Sequence, residues 1–374
     1  MLLKTQDIQE VCQKILTAVD TTENTEITES LQIHVSDGVL KLDVTNREYF
    51  ASVTLPVETE EVFDATVNAS LFLKLMSQIT TTSVNFSIAD TSLVIVANGT
   101  YKIPLIYDGE ELLKLPEIVI NNVTNEMDVD SNILLSILQY NSKELTKGII
   151  TRAVQKLFYV DEQGAITFTN GACVNTFALE KPIRVLLNNK LVKLFKLFKG
   201  DKVHLKLGYD PVGTSEEIIQ TKLSLTAPDV EITAILPCDD TLLDSYPVSA
   251  IRGRALGEYN YSVVVDKDAL ISTINRLMVF NFGKSMFKPY GKFDFTEDSV
   301  EVSDVRTKNA EVVNYLNSAS NLSEGYEAIF DFNDIKSTLE VCTDKYVTIN
   351  FGDHKALIIA RGSVYNVIPE VKLS

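Results

Sequence analysis

The sequence predicts an α+β protein of three repeated domains, each made of two β-α-β-β-β units with the helices on one side and sheet on the other. Three observations carry that prediction. A segment reading strand, Asn, short helix and three strands occurs three times, at Val67–Pro104, Leu187–Pro237 and Phe332–Pro369. Upstream of each copy lies a half with the same order of elements. Within every half the apolar spacing switches from helical to alternating at the same offsets. The copies stand about 120 to 145 residues apart, which marks a triplicated domain and not a solenoid of short repeats.

Taken in order, Met1–Lys4 leads into a helical pattern at Ile8, Val11, Cys12, Ile15, Leu16 and Val19. Strands follow at Leu31–Val35, Leu40–Val44 and Ala51–Leu55, with Ser36-Asp37-Gly38 as the hairpin turn. In the first copy Asn68 stands where a helix cap belongs, before Leu71–Met76. Strands at Ser83–Ile88, Ser92–Val96 and Tyr101–Pro104 close it. Met127–Val129 then leads into a helix over Ile133–Leu145 and strands at Lys156–Val160, Ala165–Phe168 and Asn175–Leu179. The second copy caps its helix with Asn188-Asn189 and continues through Lys202–Leu207, Thr221–Leu225 and Glu231–Leu236. Tyr261–Val265 precedes the helical set Leu270, Ile271, Ile274, Leu277 and Met278, then strands at Lys292–Phe295, Val300–Val302 and Glu311–Tyr315. The third copy offers Asn333 as cap, a helix to Val341, and strands at Tyr346–Phe351, Ala356–Ile359 and Val364–Pro369. Boundaries fall in the polar stretches Asn121–Glu126 and Arg252–Asn260, giving domains 1–124, 125–255 and 256–374.

The helix of the second copy carries lysine at every third position. Leu191, Val192, Leu194, Phe195, Leu197 and Phe198 share one face, Lys190, Lys193, Lys196 and Lys199 the other, and Gly200 is the stop. Alone, such a stripe is an ordinary solvated helix face. The other helix candidates, however, hold Lys14, Lys74, Lys143, Lys147, Arg152, Arg276, Lys284, Lys288 and Lys336. Strands and loops hold most of the acids, among them Glu58, Glu60, Glu61, Asp108, Glu110, Glu111 and Asp244, in a chain of net charge -17. Glu10, Glu144 and Glu340 break the pattern. Charge sorted by element is what a basic inner surface beneath an acidic outer one requires.

With 374 residues, 45% of them hydrophobic, the chain is long for one core and too apolar for disorder. No apolar run approaches the roughly 18 residues of a membrane span. Lys4 interrupts the N-terminus before a signal core forms, so a cytoplasmic protein is expected. Cys12, Cys173, Cys238 and Cys342 lie far apart, as reduced structural thiols do. His34, His204 and His354 occur singly, without metal-ligand spacing, and Asp239-Asp240 reads as a solvated loop. Without a phosphate loop, nucleophile elbow or dinucleotide motif, no enzyme and no cofactor is expected. The alternative is a β-rich structural or assembly scaffold that binds no nucleic acid.

An ordered set of short motifs adds a family. Leu157-Phe158 followed by Thr169-Asn170-Gly171, then Tyr246-Pro247, then Tyr365-Asn366-Val367-Ile368-Pro369-Glu370-Val371 resembles the bacterial-type DNA polymerase sliding clamp, the beta-subunit processivity ring. That family has a leucine-phenylalanine strand, Thr-Asp-Gly, Phe-Pro and a Tyr-Val-Val-Met-Pro-Met ending at these places. The chain departs from it at Ala172-Cys173-Val174, at the proline-poor linker Arg252–Leu256, and in the added tail Lys372-Leu373-Ser374.

The resemblance implies the DNA clamp fold and a head-to-tail homodimer closed around double-stranded DNA without base readout. The partners it implies are a replicative DNA polymerase and a clamp-loader ATPase, with no membrane. Lys14, Lys74, Lys143, Lys147, Arg152, Lys190, Lys193, Lys196, Lys199, Arg276, Lys284, Lys288 and Lys336 would face the DNA. The dimer seam would join Tyr101, Ile103 and Leu105 to Leu277, Val279 and Phe280. Partner peptides would enter a pocket between the second and third domains. Its walls would be Val154, Thr169, Gly171, Val174, Pro247, Ile251, Ile368, Pro369 and Val371, with Asn333 and Lys336 nearby.

Overall fold

A computed structural model describes residues 1–20, 22, 25–147, 150–200, 202–212, 215–280, 288–317, 322, 325–353 and 355–372, without the side chains of 212 and 215–218. Six β-α-β-β-β units follow one another along it. The first comprises strand Leu2–Lys4, helix Thr5–Leu16 and strands Ser30–Ser36, Val39–Thr45 and Tyr49–Pro56. The second comprises Phe63–Asn68, helix Ala69–Gln78, Ser83–Ala89, Ser92–Val96 and Thr100–Pro104. In the third, Val123–Asp130 and a helical run from Ser131 to Glu144 precede Leu157–Asp161, Gly164–Phe168 and Ala172–Thr176. The fourth runs Arg184–Asn188, helical Asn189–Phe198, Lys202–Val212, Ser215–Ala227 and Val230–Ile235. The fifth and sixth are Tyr261–Asp266, helix Lys267–Val279, Tyr290–Phe295, Ser299–Asp304 and Ala310–Asn314, then Tyr326–Asp331, helix Phe332–Glu340, Tyr346–Phe351, Ala356–Arg361 and Val364–Pro369.

Five of the six strand-to-helix junctions repeat for one physical reason: an Asx side chain accepts a free backbone N–H of the first helical turn, while Lys4 before the first helix makes no such bond. Asn68 accepts from Leu71 N at 3.0 Å, Asp130 from Asn132 N at 2.8 Å, and Asn188 from Leu191 N at 2.8 Å. Asp266 accepts from Asp268 and Ala269. In the last unit the cap is Asp331, which accepts from Asn333 N at 2.9 Å, so Asn333 lies inside the helix it was expected to open. The third helix is also not the single run expected. A π-helical turn, Ile137–Asn141, splits it into Ser131–Ser136 and Ser142–Glu144. At the end of the turn the Asn141 carbonyl accepts from the Thr167 hydroxyl at 3.0 Å.

First strands are exchanged between neighbouring units. Leu2–Lys4 pairs with Ser83–Ala89 of the second unit, and Phe63–Asn68 with Ser30–Ser36 of the first. The third and fourth units exchange in the same way, as do the fifth and sixth. Last strands then join units at two antiparallel seams, Tyr49–Pro56 with Val230–Ile235 and Ala172–Thr176 with Val364–Pro369. Among the described residues the result is two eight-stranded and two four-stranded sheets, with a small hairpin at Tyr107–Leu112. The chain divides into two compact bodies, Met1–Leu134 with Lys193–Cys238, and Leu135–Val192 with Asp239–Ser374.

Each body has its own core. In the first, the helices Thr5–Leu16 and Ala69–Gln78 pack on each other and bury Ile8, Ile15, Phe72 and Met76. In the second, Phe293, Phe295, Phe330, Phe332 and Phe351 form an aromatic cluster beneath the helices Lys267–Val279 and Phe332–Glu340. Helices Asp240–Ser245 and Val248–Ala255, which the repeat does not contain, link the fourth and fifth units. Asp239 accepts from Leu242 N at 2.7 Å and so caps the first of them.

Candidate nucleic-acid and partner sites

The lysine-striped helix forms as its pattern dictates, in α geometry over Asn189–Leu194 and 3-10 geometry over Phe195–Phe198. Its six apolar residues are between 0% and 9% exposed, Lys193, Lys196 and Lys199 are exposed, and Lys190 is half-buried. Gly200 follows with φ +89, the left-handed geometry that a glycine adopts without strain. Elsewhere Lys74, Arg152 and Lys288 are exposed and Lys143 is half-buried. Three further basic groups are engaged within the chain: Lys14 with Asp229, Arg276 with Glu311 at 2.5 Å, and Lys336 with Glu340 at 3.8 Å. Lys284 lies outside the described residues.

Lys147 corrects the expectation of a solvent-facing cation. It is 8% exposed; its ammonium lies 3.1 Å from Glu144 and donates to the Thr338 hydroxyl at 2.6 Å. A buried ammonium needs such partners to offset its lost hydration. Lys147 is therefore an internal residue.

A cleft of about 410 Å³ opens where the loop between Gly164–Phe168 and Ala172–Thr176 meets the start of helix Val248–Ala255. Of the expected wall, Thr169, Gly171, Pro247 and Ile251 line it. Phe168, Asn170, Ala172, Ala250, Arg254 and Val367 complete the lining and were not expected. Ile368 and Val174 are each 1% exposed and Val154 5%, so these three are core. The miss at Val367 is one of parity, because neighbouring strand residues face opposite ways and Ile368 takes the core side. Asn333 and Lys336 sit on helix Phe332–Glu340, Pro369 lies behind Gly171, and Val371 N donates to Ile329 O at 2.7 Å; none of the four lines the cleft.

Buried anchors set the cleft's shape. Tyr246, 4% exposed, donates its hydroxyl to Ile166 O at 2.8 Å and packs edge-on to Phe168, which fixes Pro247 at the rim. Arg252 grips Asp161 with two bonds of 2.7 and 2.5 Å, holding the helix to the sheet. Arg254, the one charged side chain among the described lining residues, is paired with Asp353. At Gly171 any Cβ would meet the Val367 carbonyl oxygen at 2.3 Å, so only glycine lets the loop close on the seam.

Of the expected dimer residues, Ile103, Leu105 and Leu277 are 2%, 9% and 2% exposed and belong to the core of their own body. Tyr101 is half-buried, while Val279 and Phe280 are 64% and 57% exposed. The nearby edge strand Ala310–Asn314 adds Val312, 58% exposed, which the sequence reading missed. His34 pairs with Asp64, and His204 with Asp128 at 2.9 Å, across adjacent strands; His354 lies outside the described residues. Among the described residues no helix is long and apolar enough to cross a membrane.

Residues 1–110 match the family model of the DNA polymerase III beta subunit, N-terminal domain. No curated protein is similar to the chain in sequence. Solved structures resemble it along its whole length. The beta subunit from DNA polymerase of Streptococcus pyogenes superposes with TM-score 0.80 at 14% identity, covering 100% of this chain and 99% of that one. The sliding clamp from Bacillus subtilis gives 0.78 at 13%, with the same coverage. The beta subunit from Thermotoga maritima gives 0.76 at 15%, again covering 100% and 99%. The chain thus has the DNA clamp fold from end to end, and its first 110 residues match the model of the DNA polymerase III beta subunit, N-terminal domain.

Proposed function

We propose that this protein is a sliding clamp, two copies of which close head to tail around duplex DNA and tether a replicative polymerase to it. The observation that carries the proposal is the fate of the last strands. Four of the six units spend theirs in the two antiparallel seams, and two remain as sheet edges, Thr100–Pro104 and Ala310–Asn314. Those two belong to the second and fifth units, so joining them between copies would repeat the existing seam and use up both edges. Val279, Phe280 and Val312 would then be covered. The strand exchange between first and second, third and fourth, and fifth and sixth units supports domains at 1–124, 125–255 and 256–374.

In such a ring the exposed lysines of the helices meet phosphates without reading bases, and enclosure replaces tight binding. The protein has no reaction to catalyse, acts in the cytoplasm, and needs an ATP-driven loader to open it. The cleft takes a short extended peptide with an apolar anchor, through which a polymerase rebinds as an intramolecular partner. Light scattering tests the closure: the expected mass is twice 41.6 kDa, falling to one chain in Val312→Asp with unchanged melting. A wild-type chain that stays monomeric at high concentration contradicts it.

A further inference from the structure

We propose that Glu144, with Lys147 as its counter-ion, is the positioning residue of the cleft: from behind the wall it fixes the Thr169–Gly171 loop against which a peptide packs. The inference rests on reading the cleft as a peptide site. Glu144 is 1% exposed. Its Oε1 accepts from the Thr169 hydroxyl at 2.8 Å and lies 3.4 Å from where a Cβ on Gly171 would stand. The Thr169 carbonyl accepts from the Gln155 amide at 3.0 Å. On the far side Lys147 donates to Thr338, whose hydroxyl donates to Asp334 O at 2.8 Å. One chain of bonds therefore runs from helix Phe332–Glu340 through the ion pair to the loop, and only Thr169 of its members touches the cleft.

Stability alone does not account for the pair. Burial pushes the Glu144 carboxyl up, against the pull of Lys147 and Thr169, so the carboxylate depends on its counter-ion. An apolar pair of similar volume in such a place is often as stable or more so. What an apolar pair cannot do is aim the Thr169 hydroxyl. With Gly171 pressed on the Val367 carbonyl, the loop is held at both ends, and loss of Glu144 removes the shorter of the two bonds made by the Thr169 hydroxyl, the other being 3.3 Å to the residue 144 carbonyl.

The test uses the full chain and a fluorescein-labelled peptide, acetyl-Gly-Leu-Ser-Leu-Phe, with Ile251→Glu to confirm that binding is at the cleft. Glu144→Leu with Lys147→Met should melt no lower than wild type yet bind the peptide about tenfold more weakly. Thr169→Val should weaken it similarly, and the triple variant no further, because both changes break one contact. Wild-type affinity in the pair-deleted variant, or losses that multiply, would overturn the inference. Should the peptide not bind wild type, the reading of the cleft fails. Amide exchange over Asn170–Ala172 then decides: faster exchange at unchanged melting supports positioning by Glu144, and unchanged exchange refutes it.

Discussion

Replacing Asp210 by alanine should destabilise the first body by about 3 kcal/mol. Asp210 lies on the long strand Lys202–Val212, beneath the connector that leaves the second unit. Its carboxylate accepts from Asn121 N at 3.0 Å, Asn122 N at 2.9 Å, Asn122 Nδ2 at 3.1 Å and Lys222 Nζ at 3.0 Å. Lys222 also donates to Val119 O at 2.7 Å, so the two side chains pin residues 119–122 to the hairpin. Each hydrogen bond to a charged group contributes about 1.5–3 kcal/mol, and bonds sharing one acceptor do not add. Breaking a buried pair costs about 3–5 kcal/mol. Asp210 is covered, at 1% exposure, but peripheral, so screening favours the lower end of that range.

The effect should depend on pH in a fixed sense. Burial pushes the Asp210 carboxyl up, but the Asn121 amide, Lys222 and the Asn122 amide outweigh it and hold the group below the usual carboxylate range. A depressed folded value stabilises above the unfolded pKa, about 3.9, and that stabilisation fades as pH falls through the folded one. Urea unfolding of wild type and Asp210→Ala should therefore differ by about 3 kcal/mol at neutral pH and converge in acid, with faster amide exchange over residues 119–122. A loss below about 1 kcal/mol, or one that stays constant into acid, refutes the reasoning.

Two further outcomes are expected. Reversing Lys193, Lys196 and Lys199 to Glu should shift unfolding by no more than about 0.5 kcal/mol, since these side chains face solvent, while impairing retention on DNA; a large unfolding shift would mean that they carry structure. Ile251→Glu should abolish polymerase binding and leave the dimer mass intact, as measured by pull-down and light scattering.

Much of this fold is legible in the sequence because two periods repeat six times and one capping rule five times. The apolar face of Leu191 to Phe198 and the Asx caps at Asn68 and Asn188 follow from local chemistry. Four features do not. The π-helical turn at Ile137–Asn141 has no local periodic signal, and the Thr167 hydroxyl bonded to its last carbonyl is distant in the chain. The wall residue on the final strand hinges on a one-residue parity, Val367 against Ile368, that alternation alone leaves open. Lys147 reads as a surface charge until its partners are known, although Glu144 three positions earlier was a signal that the two form an internal pair. The strand Ala310–Asn314 was visible as a strand, but only the sheet order marks it as a sheet edge.

Retention on circular DNA addresses the central claim directly. The protein is loaded onto a nicked circle by its loader, washed in high salt, and the circle is then cut once. Enclosure predicts that the protein survives the wash on the circle and slides off when ends appear. Loss in the salt wash, or persistence on the linear molecule, would mean that it holds DNA by contact and not by surrounding it.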